Sequence, residues 1–177
     1  MAKIGIRNVM GLGDVPQLNH WRFEVTVAPR AVATPSSEEF DVRCISSDIP
    51  RGTISPKDIS IRGHRVSQPG DQETAGDIKL TFYENNKMKL NKFIFEWTNK
   101  CSNLQTQRKE LVEDIKATIS LYLLNRQDED IAKYTLFGAF ITDSDGIGGS
   151  FSGEKNAALV QPTFTLRYDT FEVTFLS

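Results

Sequence analysis

Apolar and polar residues first alternate at Trp21, Phe23, Val25 and Val27, with Arg22, Glu24 and Thr26 between them. A period of two over this length predicts a half-buried β-strand. Pro29 and the ATPSSEE segment turn the chain. A second alternating run follows, with Phe40, Val42 and Cys44 on one face and Asp41 and Arg43 on the other. The pattern returns at residues 77–83 through Ile78, Leu80 and Phe82. It recurs at Ala117, Ile119, Leu121 and Leu123, and again over residues 133–141. The last run, TFTLRYDTFEVTFL, changes parity. Phe164, Leu166 and Tyr168 are even, whereas Phe171, Val173 and Phe175 are odd. A slip of one residue inverts every side chain, so a bulge or sharp bend is expected near Asp169 and Thr170.

One segment has the helical period instead. Leu90, Phe93, Ile94, Trp97, Cys101 and Leu104 recur at steps of three and four, with Asn85 or Asn86 placed to cap the first turn. Lys87, Lys89, Lys92 and Lys100 lie largely off that stripe, as a solvated face would. Residues 46–76 carry neither period for long. Pro50, Gly52, Pro56, Gly63, Pro69, Gly70 and Gly76 punctuate them, and only IleSerIleArg at 59–62 suggests a short strand. An irregular connection of this length in a compact domain is usually functional or disordered. Residues 1–19 show no period and are expected to form an N-terminal arm. The pattern as a whole predicts a mainly β chain of seven or eight strands with one helix.

Composition narrows the function classes. The chain has 177 residues, 39% hydrophobic and 25% charged, which suits one globular domain. Its 21 basic and 23 acidic residues give a formal charge of −2, whereas a protein gripping phosphates shows a basic excess. No apolar run approaches the roughly 18 residues of a membrane span. The opening MAKIGIRNVMGLGDV is broken by Arg7, Asn8 and its glycines and is expected to lack a signal-peptide core. Cys44 and Cys101 have no CxxC partner, so buried free thiols are expected. His20 and His64 are the only histidines, too few for a multi-histidine metal cluster. The run Asp128, Glu129, Asp130 suits a solvated turn better than an acid/base pair. No catalytic residue or cofactor is expected.

The stretch DSDGIGGSFSGE, residues 143–154, needs separate weighing. Asp143, Asp145, Gly148 and Glu154 fall at the first, third, sixth and twelfth positions of an EF-hand loop. Helices should flank such a loop, yet KYTLFGAFIT before it alternates as a strand. Ile147 also stands where an oxygen ligand belongs. Phosphate-loop spacing fails at Glu154 and Lys155, and dinucleotide spacing at Phe151. A glycine-rich connection between strands is expected, with calcium on Asp143 and Asp145 outside an EF-hand as the alternative.

The order of elements resembles the tail tube proteins of contractile-tailed bacteriophages, which share their fold with the type VI secretion tube protein. HWRFEVTV followed by SSDIPRG is similar to the family's strand-then-LPxG step. ISIRGHRVSQPGDQETAGDIKLTFYEN and the helix KLNKFIFEWTNK follow in the family's order. TLFGAFITDSDG resembles the L-x-G-A-F-P-T strand end, and TFEVTF the closing strand. The likeness covers residues 20–176. It departs from the pattern at Ile141, where proline is usual, in a longer glycine-rich insert, and over 105–117, which match nothing.

The resemblance implies a single domain over 20–177, an antiparallel β-barrel or sandwich with one flanking helix, assembling as a ring. Six subunits would close a ring whose strands form a continuous inner barrel. Stacked rings would form the inner tube of a tail that ejects DNA into the host. Implied partners are other copies of the chain, a surrounding sheath protein, baseplate and tail-terminator proteins, and a tape-measure protein and transiting DNA in the lumen. No membrane is involved. The protein would be made in the host cytoplasm and reside in the virion. Six copies at −2 sum to roughly −12, a sign that does not retain a polyanion. Residues 46–76 would bridge successive rings, with Ile49, Pro50, Arg51, Gly52, Thr53 and Ile54 at the stacking interface. The alternatives are a tube-end or baseplate adaptor of the same fold, or a type VI secretion tube protein. An enzyme or a ligand-binding β-sandwich is the remaining class.

Overall fold

The computed structural model describes residues 21–30, 32–74, 76–145 and 159–176. Its strands are β1 (Trp21–Val27), β2 (Cys44–Ser47), β3 (Gly52–Ile61), β4 (His64–Thr74), β5 (Ile78–Phe82), β6 (Ala117–Leu124), β7 (Asp130–Ser144), β8 (Thr163–Arg167) and β9 (Thr170–Phe175). Among the described residues three helices accompany them, α1 (Ser37–Arg43), α2 (Lys89–Cys101) and α3 (Val112–Ile115). Seven strands form one antiparallel sheet in the order β1-β6-β7-β8-β5-β2, with β9 also paired to β7. The first part of β7 carries β6 and β9, and its last part carries β8.

The sheet curls back on itself. Phe23 of β1 and Phe82 of β5 lie far apart in strand order, yet their rings meet at 5.5 Å. No ladder joins β1 to β2 among the described residues, so the expected barrel stays open along a seam between those edges. Within the curl, Phe40 meets Phe93 at 5.3 Å and Phe82 stacks on Phe164 at 5.3 Å. Ile119, Leu136, Leu80 and Leu166 complete a single core.

Helix α2 closes one side of this core with Leu90, Phe93, Ile94 and Trp97, all buried as the period predicted. Leu104 does not continue the stripe. It lies beyond the helix and is 84% exposed. The N-terminal cap is also differently built. Met88 occupies the cap position in a left-handed conformation and gives no side-chain bond. The Glu84 carboxylate accepts instead from the backbone N–H groups of Leu90 at 3.3 Å and Asn91 at 2.7 Å, while Asn85 accepts from Lys87 and Lys89. A carboxylate there also complements the positive end of the helix dipole. Glu84→Ala should therefore lower stability by about 0.5–2 kcal/mol, the range for a lost cap. Urea unfolding would measure it, and an unchanged midpoint would assign the capping to Asn85 alone.

Two further sequence expectations are corrected. Residues 40–43, expected to open a strand, lie in the helix Ser37–Arg43, and the strand begins only at Cys44. Ser36 caps it by accepting from Glu39 N–H at 3.3 Å, with Glu38 and Glu39 in the first turn. Ser-x-x-Glu is a capping-box spacing, and it overrides an alternation only three apolar residues long. Phe40 is buried whereas Val42 is 84% exposed, so those two do not share an inward face. Residues 46–76 are not mostly irregular. They contain β3 and β4, paired with each other from Gly52↔Thr74 to Ile61↔His64.

The expected bend in the final run is present. β8 ends at Arg167 and β9 begins at Thr170. Opposite the break, Gly138 has φ +68 and a Cβ there would run into the Asp169 carboxylate. Only glycine takes that conformation without strain and leaves that space. Lys116 pairs with the same carboxylate.

Candidate assembly interface

The β3–β4 hairpin is a two-stranded sheet of its own, and every residue of β3 is exposed. Arg62 and Gly63 turn it, both with positive φ (48 and 81), the conformation that a two-residue hairpin turn requires. Pro56 and Pro69 face each other next to a register shift between Ile54 and Pro56. A proline lacks an N–H, which costs nothing on the free edge of a two-stranded ribbon.

The register sorts the hairpin into two faces. Asp58, Ser60, Arg65 and Ser67 share one, through the pairs Asp58↔Ser67 and Ser60↔Arg65. Asp58 is bonded there by Arg65 and Ser67, and those bonds hold its carboxyl below the usual range, Arg65 contributing most. Ile59, Ile61 and Val66 share the other face, through Ile59↔Val66 and Ile61↔His64. All three are exposed.

The stacking residues expected from the sequence fall at the root of this hairpin. Ile49, Arg51, Gly52, Thr53 and Ile54 are exposed, but Pro50 is buried in the subunit. The apolar face further out was missed. Its signal was present as two short alternating runs, ISI and HRV, around an Arg-Gly turn.

At the foot of the hairpin the open seam forms a groove of about 550 Å³. It is lined by Trp21 of β1, Leu121, Tyr122 and Leu123 of β6 and Tyr134 of β7, and by Cys44 through Ile49. Among the described residues the lining includes Asp41 and Asp48 and no basic side chain. Asp41 also accepts from Phe23 N–H at 3.2 Å, which covers part of the β1 edge, and Asp48 accepts from Lys79 N–H at 2.9 Å. The groove lies where the curled sheet fails to close.

The opposite face of the β1-β6-β7-β9 layer is polar. The register aligns Arg22, Tyr122, Lys133 and Thr174 in one row and Glu24, Ser120, Thr135 and Glu172 in the next. Its cations are countered. Arg22 bonds Asp130 at 3.0 Å and lies 4.3 Å from the Tyr122 ring centre, with Lys133 at 5.2 Å. Tyr122 in turn donates to Glu24 at 3.0 Å.

Both cysteines are free and partly buried. Burial pushes both thiols up, and at Cys44 the Asp41 charge adds to the rise. The thiolate is the reactive form. Iodoacetamide at pH 8 should therefore label the folded protein slowly and both thiols promptly in urea, as intact-mass measurement would show. Rapid labelling of folded protein at Cys44 would mean that the groove opens readily.

For the DSDGIGGSFSGE stretch, β7 continues to Ser144 and the next strand among the described residues begins at Thr163. The chain before the loop is thus a strand, not an EF-hand helix, and Asp143 accepts from Ser144 N–H at 2.9 Å. Residues 146–158 lie outside the described residues, as do the N-terminal arm and His20.

A family model for the phage tail tube protein matches residues 16–174. Among solved structures, a chain in the cryo-EM structure of the anti-feeding prophage baseplate is 15% identical with a TM-score of 0.61, over 92% of this chain and 97% of that one. A chain of the PVC sheath/tube terminator, from an extracellular contractile injection system, is 20% identical at a TM-score of 0.59, over 90% and 96%. One from the PVC sheath-tube complex is 20% identical at 0.55, over 99% and 100%. No curated protein matches the sequence. The three structural likenesses establish a shared fold, and the family model adds what they cannot: the chain belongs to the phage tail tube protein family.

Proposed function

We propose that this protein is the main tube subunit of a contractile tail, with no catalytic role. Six copies close a ring, rings stack into a hollow tube, and DNA passes through it into the host. The family match over residues 16–174 carries this reading. The curled sheet supports it as well, because among the described residues β1, β2 and β9 are edges without a further partner strand, which a neighbouring copy can cover. The polar face bearing Arg22, Glu24, Tyr122, Lys133 and Glu172 lines the channel. Its cations are held by Asp130 and Tyr122, so it offers passing phosphates little to grip. The sheath lies outside the tube, the baseplate and terminator at its ends, and the tape-measure protein within it before ejection.

The second reading, a tube-end or baseplate adaptor, is favoured by the terminator and baseplate among the structural neighbours. A type VI secretion tube protein is the third. Electron microscopy of the purified protein separates them. A main tube subunit gives six-fold rings that stack into tubes of unlimited length. Single rings that never stack would support an adaptor or a type VI ring, and a dispersed monomer at high concentration would refute the tube.

A further inference from the structure

We infer that residues 3–7 of the N-terminal arm, Lys-Ile-Gly-Ile-Arg, seat in the seam groove of their own chain. The inference goes beyond the tube reading and does not depend on it.

The groove has the features of a docking site. Its volume of about 550 Å³ lies within the range of cavities that hold a ligand. Ile45 and Ile49 on one side are 36% and 50% exposed, and Trp21, Leu121, Leu123 and Tyr134 add apolar and aromatic surface. The seam also leaves the edges of β1 and β2 without a partner strand among the described residues. An extended segment can add to such an edge, and proteins commonly cover edges with a stretch of chain.

The segment leading into β1 is placed to fill it. Trp21 both lines the groove and opens β1, and twenty residues precede it in the sequence. The chain from Arg7 to Trp21 spans up to about 45 Å when extended, so residues 3–7 reach the groove with length to spare. Gly11, Gly13 and Pro16 lie in that connection and suit the reversal it needs. A tether of this length sets an effective concentration of about millimolar. The chain's own arm is therefore favoured over the arm of another copy.

Charge selects residues 3–7 within the arm. Asp41 and Asp48 are the charged residues of the described lining. Each accepts one backbone N–H, and a carboxylate has further acceptor capacity. Lys3 and Arg7 are the arm's lysine and arginine, whereas Asp14 would bring its second half a like charge. In an extended segment Ile4 and Ile6 fall on one side, where they match the apolar lining. Gly5 between them lets the backbone lie close. The long stems of Lys3 and Arg7 carry their charges to the two aspartates. Opposite charges around an apolar centre are the arrangement of a specific contact.

The test is a disulfide in the full-length protein. Ile6→Cys and Ile49→Cys are combined in one chain and mild oxidant is added. A bond from position 6 to position 49, or to Cys44 in the same groove, is expected in a species of monomer size on a non-reducing gel, located by peptide mapping. Ile6→Cys with Lys109→Cys, on the exposed connection after α2, should give no bond between those positions. Adding Lys3→Glu and Arg7→Glu to the first pair should abolish its bond. A bond found only in dimers or longer ladders would assign the groove to a neighbour's arm and overturn the inference. Absence of the bond, an equal bond to position 109, or a yield unchanged by the charge reversal would overturn it as well. None of these results bears on the tube reading, which micrographs of the unmodified protein test separately.

Discussion

Trp97→Ala is expected to cost the subunit about 3–5 kcal/mol, the range for truncating a buried aromatic side chain. Trp97 is 0% exposed and joins the core through Phe93, whose ring centre is 5.4 Å away. The side chain also does a second job. Its Nε1 donates to the Ile115 carbonyl at 2.7 Å, which fixes α3 and the chain entering β6. Removing the indole therefore leaves a cavity and deprives that carbonyl of its partner. Total stabilities of domains are about 5–15 kcal/mol, so the variant should be strongly destabilised. Urea unfolding followed by circular dichroism measures this. Trp97→Phe should recover most of the packing and lose only the bond, about 1–3 kcal/mol for a carbonyl left unpaired. A Trp97→Ala protein as stable as its parent that fails only in assembly would make the α2 stripe an interface instead.

Removing the hairpin should have the opposite profile. Replacing residues 53–73 with Asn-Gly joins Gly52 to Thr74, which already face each other in the ladder, through a turn that suits a tight hairpin. No core residue is lost, since the buried hydrophobic set contains none from β3 or β4. The unfolding free energy should change by no more than about 0.5 kcal/mol, as for a surface change. Tubes should vanish from electron micrographs. Tubes of unchanged length would hand stacking to another surface, the N-terminal arm first among them.

The two variants thus separate the parts of the chain that make a subunit from the part proposed to join subunits. Burial predicts the first class, because each core side chain contributes through area removed from water. It is silent on the second class. Ile59, Ile61 and Val66 are exposed in the subunit, and singly exposed apolar residues are ordinary. They become informative only when the ladder shows that they share one face of a ribbon with no neighbour beneath it.

The chain alone determined the elements whose pattern repeats often enough to be unambiguous. β1, β5, β6 and most of β7 follow from alternation, and α2 from four buried residues at helical spacing. The break before Thr170 follows from a change of parity that a straight strand cannot absorb. The family resemblance was legible in the order of these segments. Tertiary structure decided the rest. Residues 40–44 alternate too briefly to distinguish strand from helix, and the Ser36 cap with Phe40 packed on Phe93 selects the helix up to Arg43. Residues 52–74 carry prolines that argue against a strand until the ribbon is seen to have free edges. The seam groove has no local signal at all. It is built by Trp21, residues 44–49, Leu121, Leu123 and Tyr134, which meet only because the sheet curls and fails to close. Periodicity is a property of neighbours in sequence, whereas a groove between two edges belongs to strands that never pair.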